Sequence, residues 1–267
     1  MENPVLNRNG LLRRRLLRGA VLGGSALGLG GCRILDGLRE ENAVRDVIAG
    51  ANGLTYRAQR LLAGGQRLAP EFSLADIRQG QHPNGSTAPD DEEYLTLARN
   101  GFADYSLTVT GAVERPLTLS RDHLLALPAR SQITRHDCVE GWSCIAKWTG
   151  VQLARVLEAV RPTSAARFAV FYCYDTLERG LSGPVKYYES IDLIDAMHPQ
   201  TILAYGMNGR PLPVENGAPL RLRVERQLGY KMAKYIHTIE LVPSFAAIDG
   251  GHGSYWADRG YDWYAGI

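Results

Sequence analysis

Apolar positions in this chain recur with two different periods, and the alternation separates strands from helices. Tyr105-Ser-Leu-Thr-Val-Thr-Gly111 alternates every second residue among β-branched side chains and reads as a strand, with Val113-Glu-Arg-Pro116 as the turn after it. Ser131–Arg135, Arg167–Tyr174 and Ile236–Val242 read the same way. Leu220-Arg-Leu-Arg-Val224 alternates cleanly, which puts Arg221 and Arg223 on one face and the three apolar residues on the other. Helical spacing appears over Val151–Val160. A second helix opens on Asp90-Asp-Glu-Glu93, of the sign that suits a helix N-terminus, and ends near Gly101. A short helix within Leu117–Leu127 takes Ser120 as its N-cap and is closed by Pro128. Thr176–Ser190 is expected as a loop and hairpin. Ser190–Met197 is expected as a helix capped by Ser190 or Asp192. Short helices interspersed among many strands predict a mixed α+β fold, rich in β structure.

The N-terminus has a different texture. Arg13-Arg-Arg-Leu-Leu-Arg18 precedes an uncharged, mildly apolar run from Gly19 to Gly31. In a helix that run spans roughly 20 Å, short of a hydrocarbon core of about 30 Å. A basic region followed by a short apolar one is the geometry of an export signal. The paired arginines resemble a twin-arginine signal, and Leu29-Gly-Gly-Cys32 resembles a lipobox with Cys32 as the lipidated residue; an uncleaved signal anchor is the plainer alternative. The chain then divides into the signal at 1–32, a tether with a helix at 33–80, and the main domain at 81–267. Periplasmic location, with membrane contact through the lipid anchor, is the corresponding expectation.

Composition adds limits. Net charge is +2 in 267 residues, and five arginines between Arg8 and Arg18 supply much of the basic excess. The body is therefore near neutral, which argues against nucleic acid as the main partner. The four cysteines, at 32, 138, 144 and 173, form no CxxC pair and no small disulfide framework.

Chemistry concentrates in Thr134–Gly150, which holds Cys138, Cys144, His136, Trp142 and Trp148. From the residues alone three readings stay open at Cys138. A zinc site could use His136 and Cys138, although no second pair sits at usable ligand spacing. A cysteine nucleophile could use His136 as base, although alternate strand residues only share a face. A buried structural cysteine is the third.

A fourth reading comes from resemblance. Cys138-Val-Glu-Gly-Trp-Ser143, then Trp148-Thr-Gly150 and Leu153, resembles the molybdenum-binding segment of the sulfite oxidase superfamily, nearest the branch of the periplasmic protein-methionine-sulfoxide reductases. Met197-His-Pro199, Leu212-Pro213, Asn216-Gly-Ala-Pro-Leu-Arg221 and Gly229-Tyr-Lys-Met-Ala-Lys234 continue it in order. The resemblance implies the sulfite-oxidase-type fold and a molybdenum–molybdopterin cofactor, with Cys138 as the metal ligand. It implies that Asn216, Arg221, Met232, Ala233 and Lys234 contact the pterin and its phosphate, for which Arg supplies a planar donor fork. From spacing alone Arg221 could equally be a surface residue. Of Lys231 and Lys234, Lys234 is favoured as the one facing the cofactor.

Three departures from the branch pattern bear on substrate more than on cofactor. Ungapped counting from Cys138 puts Cys173 where the branch has a threonine beside the pterin. Asn84 is the one candidate for an expected asparagine, and the aromatic–acidic pair that goes with it is missing. Asp137 replaces a basic residue. Glu140 stands where sulfite-oxidising members carry basic residues; an acidic group there suits a neutral sulfoxide. Buried beside Trp142, it would have a raised pKa and could donate a proton, though a salt-bridged structural carboxylate is the alternative. The expected activity is therefore oxygen-atom transfer, reducing a sulfoxide-type substrate, free or protein-bound. Its electrons would come from a separate membrane haem protein, since this chain carries no haem motif. Sulfite oxidation and a non-catalytic, lipid-anchored binding module are the rivals. Tyr187-Tyr-Glu189 is a candidate pocket lining. The glycine- and aromatic-rich tail from Gly250 to Tyr264 is either surface packing or a docking patch for the redox partner.

Overall fold

The computed structural model describes residues 53–58, 60, 61, 67–78, 80–181 and 183–267. The expected export signal, Cys32 and most of the expected tether lie outside these residues. Tyr56–Ile267 forms one compact unit.

Two sheets carry that unit. The first has strands β1 (Ser106–Gly111), β2 (Leu117–Ser120), β5 (Phe168–Gly180), β6 (Gly183–Asp192) and β10 (Ile236–Val242), in the order β2-β1-β10-β5-β6. Only β1 and β10 pair in parallel. The second sheet has β3 (Ala129–Asp137), β4 (Ser143–Gln152), β7 (Ile202–Met207) and β8 (Arg210–Pro211) in sequence order, with β9 (Arg221–Arg223) also pairing β7. The alternation of β1 has the expected result: Leu107 and Val109 are wholly buried.

The helices are short and lie where their apolar faces find cover. Helix α1 (Glu92–Arg99) is capped by the Asp91 side chain, which accepts from the Tyr94 N–H, and buries Tyr94 and Leu97. Helix α2 (Arg121–Ala126) is capped by Ser120, as read from sequence. Helix α3 (Leu153–Val160) buries Leu153, Val156, Leu157 and Val160 along one stripe; Val151 and Gln152 belong to β4 instead. Asp192, not Ser190, caps the single turn α4 (Leu193–Ala196), because β6 runs on through Ser190. The loop and hairpin expected at 176–190 is the β5–β6 hairpin, strand over most of its length and paired from Thr176↔Lys186 to Gly180↔Gly183. Residues 67–78 run against the second sheet, with Phe72 N–H donating to Ile133 O at 2.8 Å and Arg78 N–H to Ile145 O at 3.3 Å. Part of the segment assigned to the tether thus packs on the domain.

Candidate active site

Cys138 sits in the turn between β3 and β4, two strands paired from Ala129↔Val151 to Asp137↔Ser143. Its N–H donates to Trp142 O at 3.0 Å, and its carbonyl accepts from Gly141 N–H at 3.1 Å. Gly141 takes φ +86, a left-handed conformation that favours glycine. The tight turn leaves Cys138 half-buried on the wall of a cavity of about 190 Å³. Lys234, Asp175, Met232 and the Asn84–Ser86 segment share that wall, together with Leu177, Tyr187, Tyr230, Trp256 and Tyr261. A larger cavity of about 410 Å³, between α2 and the β7–β8 turn, contains none of these groups.

Behind the cavity lies a cluster of buried cations. Arg221 and Arg223 do share a face of β9, but that face is buried; Arg221 is 2% exposed and Arg223 fully enclosed. The surface reading of Arg221 fails because Leu220, Leu222 and Val224 are buried as well, so β9 is covered on both sides. Both guanidinium groups lie over the Trp148 ring, at 5.1 and 4.3 Å from its centroid. Arg223 is neutralised by a two-pronged pair with Glu225, at 2.9 and 2.6 Å. Arg221 has no such partner. It donates to Asn216 O at 3.0 Å and to Asn84 Oδ1 at 2.8 Å, and its Nε is buried without an acceptor. Lys234 donates to the carbonyls of Ser86 and Glu215. Burial, then Arg223, pushes the Arg221 pKa down to about 9; burial, then Arg221, pushes Lys234 down to about 7.

His136 is not a base here. Arg223 Nη1 lies 2.9 Å from its Nδ1, and since a guanidinium only donates, Nδ1 accepts and Nε2 carries the proton. Burial and the neighbouring Arg221, Arg223 and Lys234 hold its pKa well below the ordinary value. Nε2 is itself buried without a partner. Among the described residues no three His, Cys, Asp or Glu side chains gather as a metal cage, so a zinc reading finds no ligand set. Burial raises the Cys138 thiol pKa above its usual value, and a metal ligand would hold it as thiolate.

The remaining expected residues divide. Met232 is on the cavity wall, with Sδ 3.3 Å from His136 Nδ1. Ala233 is fully buried, its carbonyl accepting from Leu222 N–H at 2.8 Å. Asn216 is buried and serves Arg221 through its carbonyl. Cys173 is enclosed in the apolar core, off this cavity wall. Asp175, two residues on, takes the place on the wall, with Oδ2 accepting from Ser86 Oγ at 2.7 Å and Oδ1 buried without a partner. Counting along the chain missed it because β5 carries an irregularity between Tyr172 and Thr176 that an ungapped count does not register. Glu140 is exposed, not buried as expected, and accepts from Trp142 Nε1 at 2.8 Å. Lys231 is fully buried in an ion pair with Glu189, leaving Lys234 as the lysine that reaches the cavity.

Two buried cations without a carboxylate partner, an orphaned donor on Arg221, and a half-buried thiol at the same cavity suit a phosphate-bearing, metal-carrying group. Gly217 belongs to the same fit: a Cβ there would stand 2.9 Å from Lys234 Cγ and 3.2 Å from Arg221 Cβ. The oxidoreductase molybdopterin binding domain family matches residues 95–246, more than half of the chain. The chain belongs to that family. It is an enzyme of the molybdopterin oxidoreductases, with molybdenum–molybdopterin as its cofactor. It is 35% identical to a putative protein-methionine-sulfoxide reductase subunit, YedZ1, of Azospira oryzae, over 95% of this chain and 87% of that protein. With the protein-methionine-sulfoxide reductase catalytic subunit MsrP of Campylobacter jejuni it shares 37% identity over 57% of this chain, and it spans 54% of that protein. Among solved structures it is similar to the sulfane dehydrogenase SoxCD of Paracoccus pantotrophus, with a TM-score of 0.47 and 21% identity over 53% of this chain and 39% of that one.

Proposed function

We propose that this molybdopterin oxidoreductase reduces a sulfoxide-type substrate by oxygen-atom transfer, exported and lipid-anchored at Cys32, with electrons from a membrane haem protein. The observation that carries the cofactor assignment is Arg221 and Lys234, both buried, neither paired with a carboxylate, beside Cys138. Cys138 would ligate molybdenum, while Arg221 and Lys234 hold the phosphate of the pterin. When bound, the group supplies the two-electron chemistry.

The rest of the cavity supports a neutral substrate. Its wall holds two carboxylates, Asp175 and Glu140, and one cation, Lys234, which the cofactor phosphate would engage. A hydrated anion such as sulfite gains no free cation there and faces two acids. Glu140 is exposed at the wall and stands where protons from solvent can be passed inward. The names borne by the relatives from Azospira and Campylobacter favour the same direction.

The test is a purified, metal-replete protein analysed for molybdenum and pterin and assayed with methionine sulfoxide, an N-oxide and sulfite. Bound molybdenum and pterin with preferential sulfoxide reduction are expected. Preferential sulfite oxidation would overturn the substrate reading, and absence of pterin would overturn the cofactor assignment. Export and anchoring are tested by fractionation: Arg14→Lys/Arg15→Lys should retain the protein in the cytoplasm, and Cys32→Ser should release it from membranes.

A further inference from the structure

We propose that the C-terminal segment from Gly250 to Tyr264 forms the specificity wall of the active-site cavity, with Trp256 and Tyr261 contacting the substituents of the substrate. The proposal rests on the sulfoxide reading above. Both side chains line the same cavity as Cys138, yet both come after residue 246, where the family match ends. The cofactor-binding core and these two rings of the aromatic wall therefore come from separate parts of the chain. Discrimination between substrates can change in the tail without touching the cofactor contacts.

Contacts within the protein hold the wall in place. Its rings interlock in a chain: Tyr187 to Tyr255 at 6.0 Å between centroids, Tyr255 to Trp256 at 5.1 Å, Trp256 to Tyr261 at 5.1 Å, and Tyr261 to Tyr230 at 5.5 Å. Polar contacts fix that chain to β5 and β6. Tyr255 Oη donates to Glu178 Oε1 at 2.6 Å, and Arg259 pairs with Glu178 at 2.8 Å while stacking 3.6 Å above the Tyr255 ring. Asp258 accepts from Tyr188 Oη at 2.5 Å and from the N–H groups of His252 and Gly250 at 3.0 and 3.1 Å. Rings already held in place lose little further freedom when they grip a substituent.

The chemistry of the wall matches an apolar arm on sulfur. Aromatic rings make favourable contacts with sulfur and with the carbons beside it. Leu177 continues the apolar surface, and Tyr261, 43% exposed, carries it out to solvent. A sulfoxide with a bulky apolar substituent covers the wall; dimethyl sulfoxide reaches little of it.

The experiment compares kcat and KM of the molybdenum-loaded wild type, Trp256→Ala, Tyr261→Ala and Trp256→Phe with benzyl methyl sulfoxide and dimethyl sulfoxide. Molybdenum content is measured in parallel, and equilibrium binding of benzyl methyl sulfone is measured by calorimetry. For the alanine variants, KM for the benzyl substrate and Kd for the sulfone are expected to rise about tenfold, the scale of a lost apolar contact in a pocket. Values of kcat, molybdenum content and KM for dimethyl sulfoxide should stay within about twofold on the same reasoning. Trp256→Phe should recover most of the loss. Equal changes for both sulfoxides, or an unchanged sulfone Kd, would overturn the wall. A wild type that reduces neither sulfoxide would instead sink the reading of the reaction, and the sulfone titration would still judge the wall.

Discussion

Lys231 and Glu189 form an ion pair from which solvent is wholly excluded, whereas Lys234, three residues on, meets backbone carbonyls. Burial is the largest influence on both partners of the pair, pushing the Glu189 carboxyl up and the Lys231 amine down. Lys231→Met leaves the carboxylate buried without its counter-charge, which costs about 3–5 kcal/mol in comparable cases. Chemical denaturation should show a loss of that order, largely recovered in the double variant with Glu189→Gln. A single variant as stable as wild type would show that the pair does not hold the fold.

Lys234 predicts a pH dependence of stability. Its folded pKa is depressed from 10.5 to about 7, by burial first and then by Arg221, with Asp175, Cys173 and Glu215 opposing. Between those values the unfolded chain binds more protons than the folded one. Stability of the cofactor-free protein therefore rises with pH from about 7 to 10.5, at up to about 1.4 kcal/mol per unit. Below pH 7 the penalty is fully present. Subtracting the curve of Lys234→Met isolates this contribution from the tyrosines and cysteines that titrate nearby. No difference in slope between the two proteins would remove Lys234 as a strained cation.

Arg221→Gln should give a folded protein that loses its cofactor. A charge-assisted hydrogen bond in a buried site contributes about 1.5–3 kcal/mol, so retention should weaken about 10- to 100-fold. Molybdenum and pterin measured before and after gel filtration decide the matter; full retention removes Arg221 from the phosphate site.

Gly217→Ala tests the close approach behind the same site. The position takes φ +115, and an added methyl group would meet Lys234 and Arg221 together. Reduced thermal stability and reduced pterin content are expected, because the side chains that must yield are the two that form the cradle. Unchanged values of both would show that the cradle tolerates the methyl group.

Cys138→Ser should abolish activity and remove or alter the Mo(V) resonance. Retention of both would exclude Cys138 as the metal ligand.

Much of the frame was legible because local chemistry decided it. Ser120 at a cap and the apolar stripe of 153–160 carry their instructions within a few residues. Cys138, Arg221 and Lys234 were legible as a set through spaced motifs, and the structure gathers them. What periodicity could not show was what covers a face. The alternation of Leu220–Val224 looks like a half-exposed strand, and only the packing of Trp148 reveals that its arginine face is inside. Asp175 and not Cys173 reaches the wall across an irregularity of β5 between Tyr172 and Thr176, which an ungapped count does not see. Trp256 and Tyr261 read as surface packing because their partners, Tyr255, Tyr230 and the cavity itself, are assembled by the fold.

Residues 84–86 line the site as a strap: Asn84 Oδ1 accepts a hydrogen bond from Arg221 Nη2, and the Ser86 carbonyl accepts from Lys234 and from Tyr235 Oη. The strap and an incoming phosphate thus compete for the same N–H groups on Arg221 and Lys234. Arg221 Nε, buried without an acceptor, is the donor that the strap leaves over for such a group.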